Sequence, residues 1–354
     1  MRYFAGQLHA KSLVAATVAT AGLALAIGAG SRNLQDFDSA LIGYCFASLF
    51  ATFGLVYRYS VWLTKPPTWK YWVRGWQLCF SPALWKNLRS PRILGGAVAR
   101  KIVLQDFVWH RSPGRWAGHM LLAAGCVLAA AVTFPLVFGW IHFEQGQIEP
   151  EPTYIIWLFG FPVRELALHG IESWFTFHAL IVASFMVLPG VMIVMYRRMT
   201  NAGAVAVQRF ARDFLPLILL FAVAFTGLLL WISYEFLDGY FYSALAQLHA
   251  WTVIATLIYL PFGKLFHIFQ RPASLGISYY KAAGAEKEQA VCPVTRKEFA
   301  PKMQTDDLKE VLGELEFDYS ATDKKSPAWN EVSPKGRRIL IGRAHAKARK
   351  NKFD

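Results

Sequence analysis

The sequence predicts an all-α fold, a polytopic transmembrane helix bundle of about six spans with a cytoplasmic C-terminal extension. Three observations carry that expectation. The composition is too apolar for an ordinary soluble domain, with 55% hydrophobic residues, 17% charged residues and a mean hydropathy of +0.31. Six stretches reach the roughly 20 apolar residues that a helix needs to cross a bilayer core, at about 12–30, 40–63, 115–140, 173–196, 214–237 and 245–268. Positive charge collects in alternate connections, as it does in cytoplasmic loops.

The first stretch follows only Arg2 and Lys11 and resembles the start of a signal peptide. Ser31-Arg32-Asn33 offers no small-residue cleavage site, so it reads as a retained helix. With the second stretch it makes residues 1–64 two N-terminal spans. The connection 65–114 is a basic cytoplasmic loop. Extended to Arg115, it carries Lys65, Lys70, Arg74, Lys86, Arg89, Arg92, Arg100, Lys101 and Arg111 against the single acid Asp106. Residues 115–269 form a four-helix membrane domain. Its 197–213 connection adds Arg197, Arg198, Arg209 and Arg212. Asp36, Asp38, Glu144, Glu149, Glu151, Glu165, Glu172 and Asp238 fall on the opposite side. Every connection agrees on one topology in a cytoplasmic (inner) membrane, with both termini in the cytoplasm.

The tail, 270–354, is polar and of mixed charge, with Pro293, Pro301, Pro327 and Pro334 and a basic end from Arg337 to Lys352. It reads as a segment that docks on a partner or stays partly flexible. Thr305 to Leu315 has capped amphipathic spacing, with Leu308, Val311, Leu312 and Leu315 on one side, the pattern of a helix that a partner can meet. The excess of 37 Lys and Arg over 23 Asp and Glu is loop charge of a membrane protein, so nucleic acid is not expected as a partner. Cys45, Cys79, Cys126 and Cys292 contain neither a CxxC pair nor an iron–sulfur spacing, so any such cluster belongs to a partner. Cys45 and Cys126 read as packing residues within helices.

Of nine histidines, four fall inside or at the ends of spans: His119, His178, His249 and His267. An ionisable group in a membrane needs a reason, and a lone one can serve as hydrogen-bonding glue between helices. His249 and His267 lie 18 residues apart, which in an unbroken helix is five turns, puts both on one face and separates them by ~27 Å. Against a hydrocarbon core of ~30 Å this sets one near each membrane surface, the layout for two stacked haems. Bis-histidine ligation needs a second ligand at each depth. His119, four residues inside Arg115, is level with His267. His178, six residues inside Glu172, is level with His249. The expected pairs are therefore His119 with His267 and His178 with His249. Arg115, Arg197, Lys264 and Arg271 are placed to neutralise haem propionates, or to serve as positive-inside anchors. The absence of a CxxCH motif makes any haem b-type or otherwise non-covalent.

These residues carry a resemblance. Leu248-His249 through Tyr259-Leu-Pro-Phe-Gly-Lys264-Leu-Phe-His267-Ile-Phe resembles the last helix of the respiratory nitrate reductase gamma-subunit family, which includes membrane subunits of heterodisulfide-reductase-like complexes. Arg212-Asp213 through Thr226-Gly227 and Arg115-Trp-Ala-Gly-His119 are similar to that family more weakly, and the likeness spans roughly residues 105–270. It implies a membrane cytochrome b with one or two haems. Such a protein passes electrons between a quinone, menaquinone or ubiquinone, and a cytoplasmic iron–sulfur, molybdenum or flavin subunit. One departure stands out: the family has a second histidine about three turns deeper on its early ligand helix, whereas this chain has Cys126-Val-Leu-Ala-Ala130 there. Either His178 replaces that ligand or only the inner haem is bound.

His110 and His119, nine residues apart, are an alternative early pair, although Arg111, Pro113 and Arg115 make the intervening stretch a poor membrane helix. His142, Glu144, His169 and Glu172 are outer-side candidates for quinone protons or else solvated loop residues. Two rival classes explain less: a transporter with histidine in its path, and a non-haem anchor for a peripheral enzyme. Neither accounts for the 18-residue spacing.

Overall fold

The computed structural model describes residues 9–80, 95–149, 151–317 and 327–350. Arg2, Lys86, Arg89, Arg92 and Lys352, counted above among the basic residues, lie outside the described residues. In chain order the principal elements are helices α1 (Ala10–Gly30), α2 (Ile42–Leu63), α3 (Pro66–Cys79) and α4 (Pro113–Val137), then strands β1 (Ile141–Gln145), β2 (Thr153–Leu158) and β3 (Phe161–Ala167). Helices α5 (Ile171–Thr200), α6 (Leu215–Phe236), α7 (Tyr242–Tyr259) and α8 (Ala273–Ala285) follow. The chain continues through strands β4 (Gln289–Val291) and β5 (Glu298–Pro301) to helices α9 (Lys302–Glu314) and α10 (Pro334–Lys350).

Among the described residues, five helices are long and apolar enough to cross a membrane: α1, α2, α4, α5 and α6. A sixth crossing exists if α7 and the short helical segment Lys264–Gln270, bent by 66°, count as one. Their outward faces carry large apolar side chains, with Val18 66%, Leu25 75% and Val127 67% exposed. A water-soluble bundle would bury that surface, and a lipid-facing one has no reason to.

The chain divides into two compact units, Met1–Val61 with Leu104–Phe269 and Trp62–Val103 with Gln270–Asp354. In the first unit α4 and α5 run antiparallel along a glycine seam. A Cβ on Gly125 would meet Val187 Cγ2 at 2.7 Å, one on Gly190 would meet the Leu122 amide at 2.8 Å, and one on Gly118 would meet Ile193 Cγ2 at 2.7 Å. Glycine here lets two apolar helices approach closely enough for dispersion to hold them. α6 packs on both α5 and α7. Val187, Val191, Leu217 and Ala224 form the core between α5 and α6, and Cys126 packs against it. A second cluster, Ile27, Val137 and Phe138, gathers Cys45 and the ends of α1, α2 and α4.

Two sequence expectations are corrected here. The chain is not all-α: β1, β2 and β3 form an antiparallel sheet in that order, with Ile141 opposite Leu158 and Thr153 opposite Ala167. Phe159 and Gly160, at φ +52° and +79°, make the two-residue turn whose twist suits a tight hairpin. Short runs of β-branched and aromatic residues won over helix there because each strand finds its ladder within a few residues. The last span is not one helix either. α7 ends at Tyr259, Pro261 has no N–H to continue the ladder, and a 3₁₀ turn at Lys264–Phe266 starts the bent segment. The 18 residues between His249 and His267 therefore do not measure five turns of one face.

The second unit joins segments read separately as a loop and a tail. α3 crosses α8 where Gly75 meets Gly276, a Cβ on the former coming 2.8 Å from the latter's Cα. Tyr71 stands edge-on to Tyr280 at 5.2 Å. Asp307 on α9, buried, accepts from Tyr280 at 2.7 Å and Arg74 at 3.2 Å, with Lys70 3.6 Å away. Burial and the bond to Asp307 push the Tyr280 phenol upward. The expected helix is present but begins at Lys302, and its Val311 is buried within its own unit. Cys292 is fully buried. Burial alone would raise its thiol, but the donors of Ser333 and Thr295 outweigh that and bring it to about 6.

Candidate functional site

The seam between α4 and α5 sets the first half of the site. Its register matches Gly125 with Val187, Leu122 with Gly190 and Gly118 with Ile193; one further turn sets Arg115 beside Arg197. The two guanidinium groups lie within electrostatic range of each other. Neither forms an ion pair among the described residues. His119 follows Arg115 by one turn, on the same side of α4, and sits next to the seam residue Gly118 rather than in it.

The break after α7 sets the second half. α2 runs along α7: a Cβ on Gly43 would meet Ile254 at 3.1 Å, and one on Gly54 would meet Pro261 at 2.7 Å. Further along α2, Arg58 donates to the carbonyl of Pro261 and to that of Gly263 at 3.2 Å, and its guanidinium lies 4.2 Å from the centre of the Phe266 ring. Those carbonyls have lost their helical donors, so a cation supplied by α2 satisfies them where water is scarce. Tyr259 donates to the carbonyl of Ala211 and covers Gly263, where a Cβ would strike its ring. The bent segment then presents His267, whose Nδ1 lies 2.6 Å from the carbonyl of Lys264. An Nδ1–H donated to that carbonyl leaves the Nε2 lone pair free, the arrangement metal-bound imidazoles usually take.

His119 and His267 meet with ring centres 6.5 Å apart and planes at 72°. Two iron–imidazole bonds of ~2 Å, on nitrogens ~1.2 Å from their ring centres, would separate the centres by ~6.4 Å. Imidazoles on a common axis can adopt any angle between their planes. The pair is too wide for a direct hydrogen bond, and its separation leaves room for a metal between the rings. Among the described residues no group of three or more His, Cys, Asp or Glu is placed to hold a metal ion, so the two rings belong to no larger ligand cluster.

His178 and His249 make no ring contact with each other among the described residues. His178 stacks on Trp174 at 4.7 Å, and its Nδ1 is 2.8 Å from the carbonyl of the same residue. His249 points its Nδ1 at Thr226 Oγ1, 2.9 Å away, and its Cε1 lies 3.3 Å from where a Cβ on Gly227 would stand. Thr226 is itself bonded to the Ala222 carbonyl at 2.7 Å, so the Nδ1 of each histidine has a partner among its own neighbours. α6, packed by both α5 and α7, is the element from which His249 takes its partner.

The four expected cations also divide. Arg115 and Arg197 flank His119, whereas Lys264 pairs with Asp213, which also accepts from Arg198 at 2.9 Å. Arg271 belongs to the second unit. His110 bonds the Asp106 carbonyl at 2.7 Å and is exposed. At the end of the bundle that carries the sheet, His142 stacks on Trp157 at 5.8 Å, with Asp36 3.8 Å and Glu144 3.5 Å from its two nitrogens. Arg32 holds the Asp36 carboxyl below the ordinary range. Glu172 pairs with Arg164 at 2.7 Å, and His169 is exposed.

Sequence reasoning missed Arg58. Its signal was an arginine inside an apolar stretch, Val56-Tyr57-Arg58-Tyr59, where a charge demands a partner. Comparison of the chain with protein-family models, curated proteins and solved structures finds no match.

Proposed function

We propose that the chain is the membrane cytochrome b subunit of a respiratory oxidoreductase complex, with one b-type haem held between His119 and His267. It would exchange electrons between a membrane quinone and a cytoplasmic iron–sulfur, molybdenum or flavin partner. The carrying observation is the approach of the His119 and His267 rings, with centres 6.5 Å apart, the two residues that would hold the haem iron. The resemblance of residues 248–269 to the last helix of the nitrate reductase gamma-subunit family points the same way. The haem, when bound, supplies one-electron transfer.

The chain's own residues would hold it. His267, oriented by the Lys264 carbonyl, offers Nε2 as a base. His119 faces it from a helix fixed by the glycine seam. Arg115 and Arg197, without acidic partners among the described residues, offer positive charge to carboxylates at that level. Arg58, by donating to the carbonyls of Pro261 and Gly263, steadies the segment that carries His267. No second haem is assigned to His178 and His249, whose Nδ1 atoms are bonded to Trp174 and Thr226 and whose rings make no contact with each other among the described residues. No electron step is assigned to them.

Addition of a reduced quinone to the oxidised protein in lipid nanodiscs tests the reading. The expected result is a b-type α-band that develops on addition and is missing in His119→Ala. Protein that binds haem but is not reduced by any quinol would remove the quinone claim. Protein that binds none, expressed with adequate haem supply, would remove the whole reading.

A further inference from the structure

Between α2 and the loop that precedes α4 lies a helix whose two faces differ in kind. On one face of α3, Tyr71 meets Tyr280, Gly75 crosses Gly276, and Lys70 and Arg74 reach the buried Asp307. The other face is a ladder of four aromatic rings, Trp69, Trp72, Trp76 and Phe80, in contact from one turn to the next at 5.7, 5.9 and 5.4 Å. Their spacing of three and four residues puts them on one stripe. The stripe is open, with Trp69 52%, Trp76 45% and Phe80 65% exposed. A face of that size and composition is not left to water without a reason.

We infer that this stripe lies in the headgroup layer of the membrane that α2 crosses, making α3 an interfacial helix that ties the second unit to the lipid surface. Three facts select lipid over other occupants. Only Thr64 and Lys65 separate the end of α2 from the start of α3, so the stripe, which starts at Trp69, begins within ~15 Å of the point where a span ends. Tryptophan is the side chain that best suits that layer, with an apolar body and one polar N–H. The opposite side of the helix is polar and already engaged, Lys70 and Arg74 being held by Asp307, so the aromatic stripe is the side left to meet lipid. The placement requires α2 to cross a bilayer and does not require haem.

Photo-crosslinking of the full chain in lipid nanodiscs tests the placement. A benzophenone amino acid replaces one residue at a time: Trp69, Trp76, or Val127, which faces outward at mid-span. Aromatic replaces aromatic on the stripe, so its packing on α8 is undisturbed. Mass spectrometry should find lipid adducts at 69 and 76 in yields within about threefold of that at 127. Adducts at 127 with at least about tenfold less at 69 and 76 would overturn the inference and leave the membrane reading intact. Crosslinks from 69 and 76 to a second copy of the chain would overturn it in favour of self-association. An absence of lipid adducts at 127 would overturn the membrane reading itself and the placement with it.

Discussion

The two ends of the helix bundle use histidine in opposite ways. At the end carrying Arg115 and Arg197, His119 and His267 face each other with ring centres 6.5 Å apart. At the end carrying the sheet, His178 leans on Trp174, His249 on Thr226 and His142 on Trp157. Each has found a partner within the protein. The difference shows that depth along a helix is not enough to bring two rings together. What joins His119 to His267 is the break at Pro261–Gly263, which turns a short segment back toward α4. Around His249 the helix is unbroken and the ring packs into the α6–α7 contact.

Substitutions at the histidines should have the largest effect. His119→Ala or His267→Ala should abolish haem in the purified protein, while His178→Ala and His249→Ala should keep the wild-type content. Haem lost equally from all four would erase the contrast. A smaller change is expected in the glycine seam. Gly190→Ala would drive a methyl to 2.8 Å from the Leu122 amide and 3.0 Å from the Gly118 carbonyl, costing about 1–3 kcal/mol. The midpoint of thermal unfolding in detergent should fall accordingly, and an unchanged midpoint would mean that the seam is looser than described. Arg58→Ala should cost about 2 kcal/mol by stranding the Pro261 and Gly263 carbonyls. Its distinctive effect would be weaker haem retention on dilution, since the bent segment that carries His267 loses its support. The least effect should come from Thr226→Val, at about 1 kcal/mol, with haem content unchanged. Lost haem in that variant would transfer a ligand role to His249.

Much of this was legible in the sequence, for reasons that differ from residue to residue. The spans were readable because hydropathy over 20 residues needs no tertiary information, and five of the six stretches correspond to single helices. The level of His119 was readable because its depth can be counted from Arg115, whereas the level of His267 was read from an 18-residue spacing that the bend does not preserve. The sheet was not, because runs as short as Ile141–Gln145 carry no period that survives a hydropathy window. The bend was written in Leu260-Pro261-Phe262-Gly263, but a proline inside an apolar run is also compatible with a continuous span, as Pro135 and Pro189 demonstrate within α4 and α5. The union of loop and tail was out of reach, since the crossing of Gly75 with Gly276 joins residues 201 apart with no charge or period to announce it. The aromatic ladder of α3 was hidden for another reason: the basic residues around it dominated the reading of that loop.

Haem stoichiometry by pyridine haemochrome, taken with a dithionite-reduced minus oxidised spectrum of the purified chain, tests the central claim most directly. One b-type haem per chain, lost with His119 or His267, is the predicted result. Two haems would mean that His178 and His249 come together after all, and none in protein expressed with ample haem would contradict the account at its root.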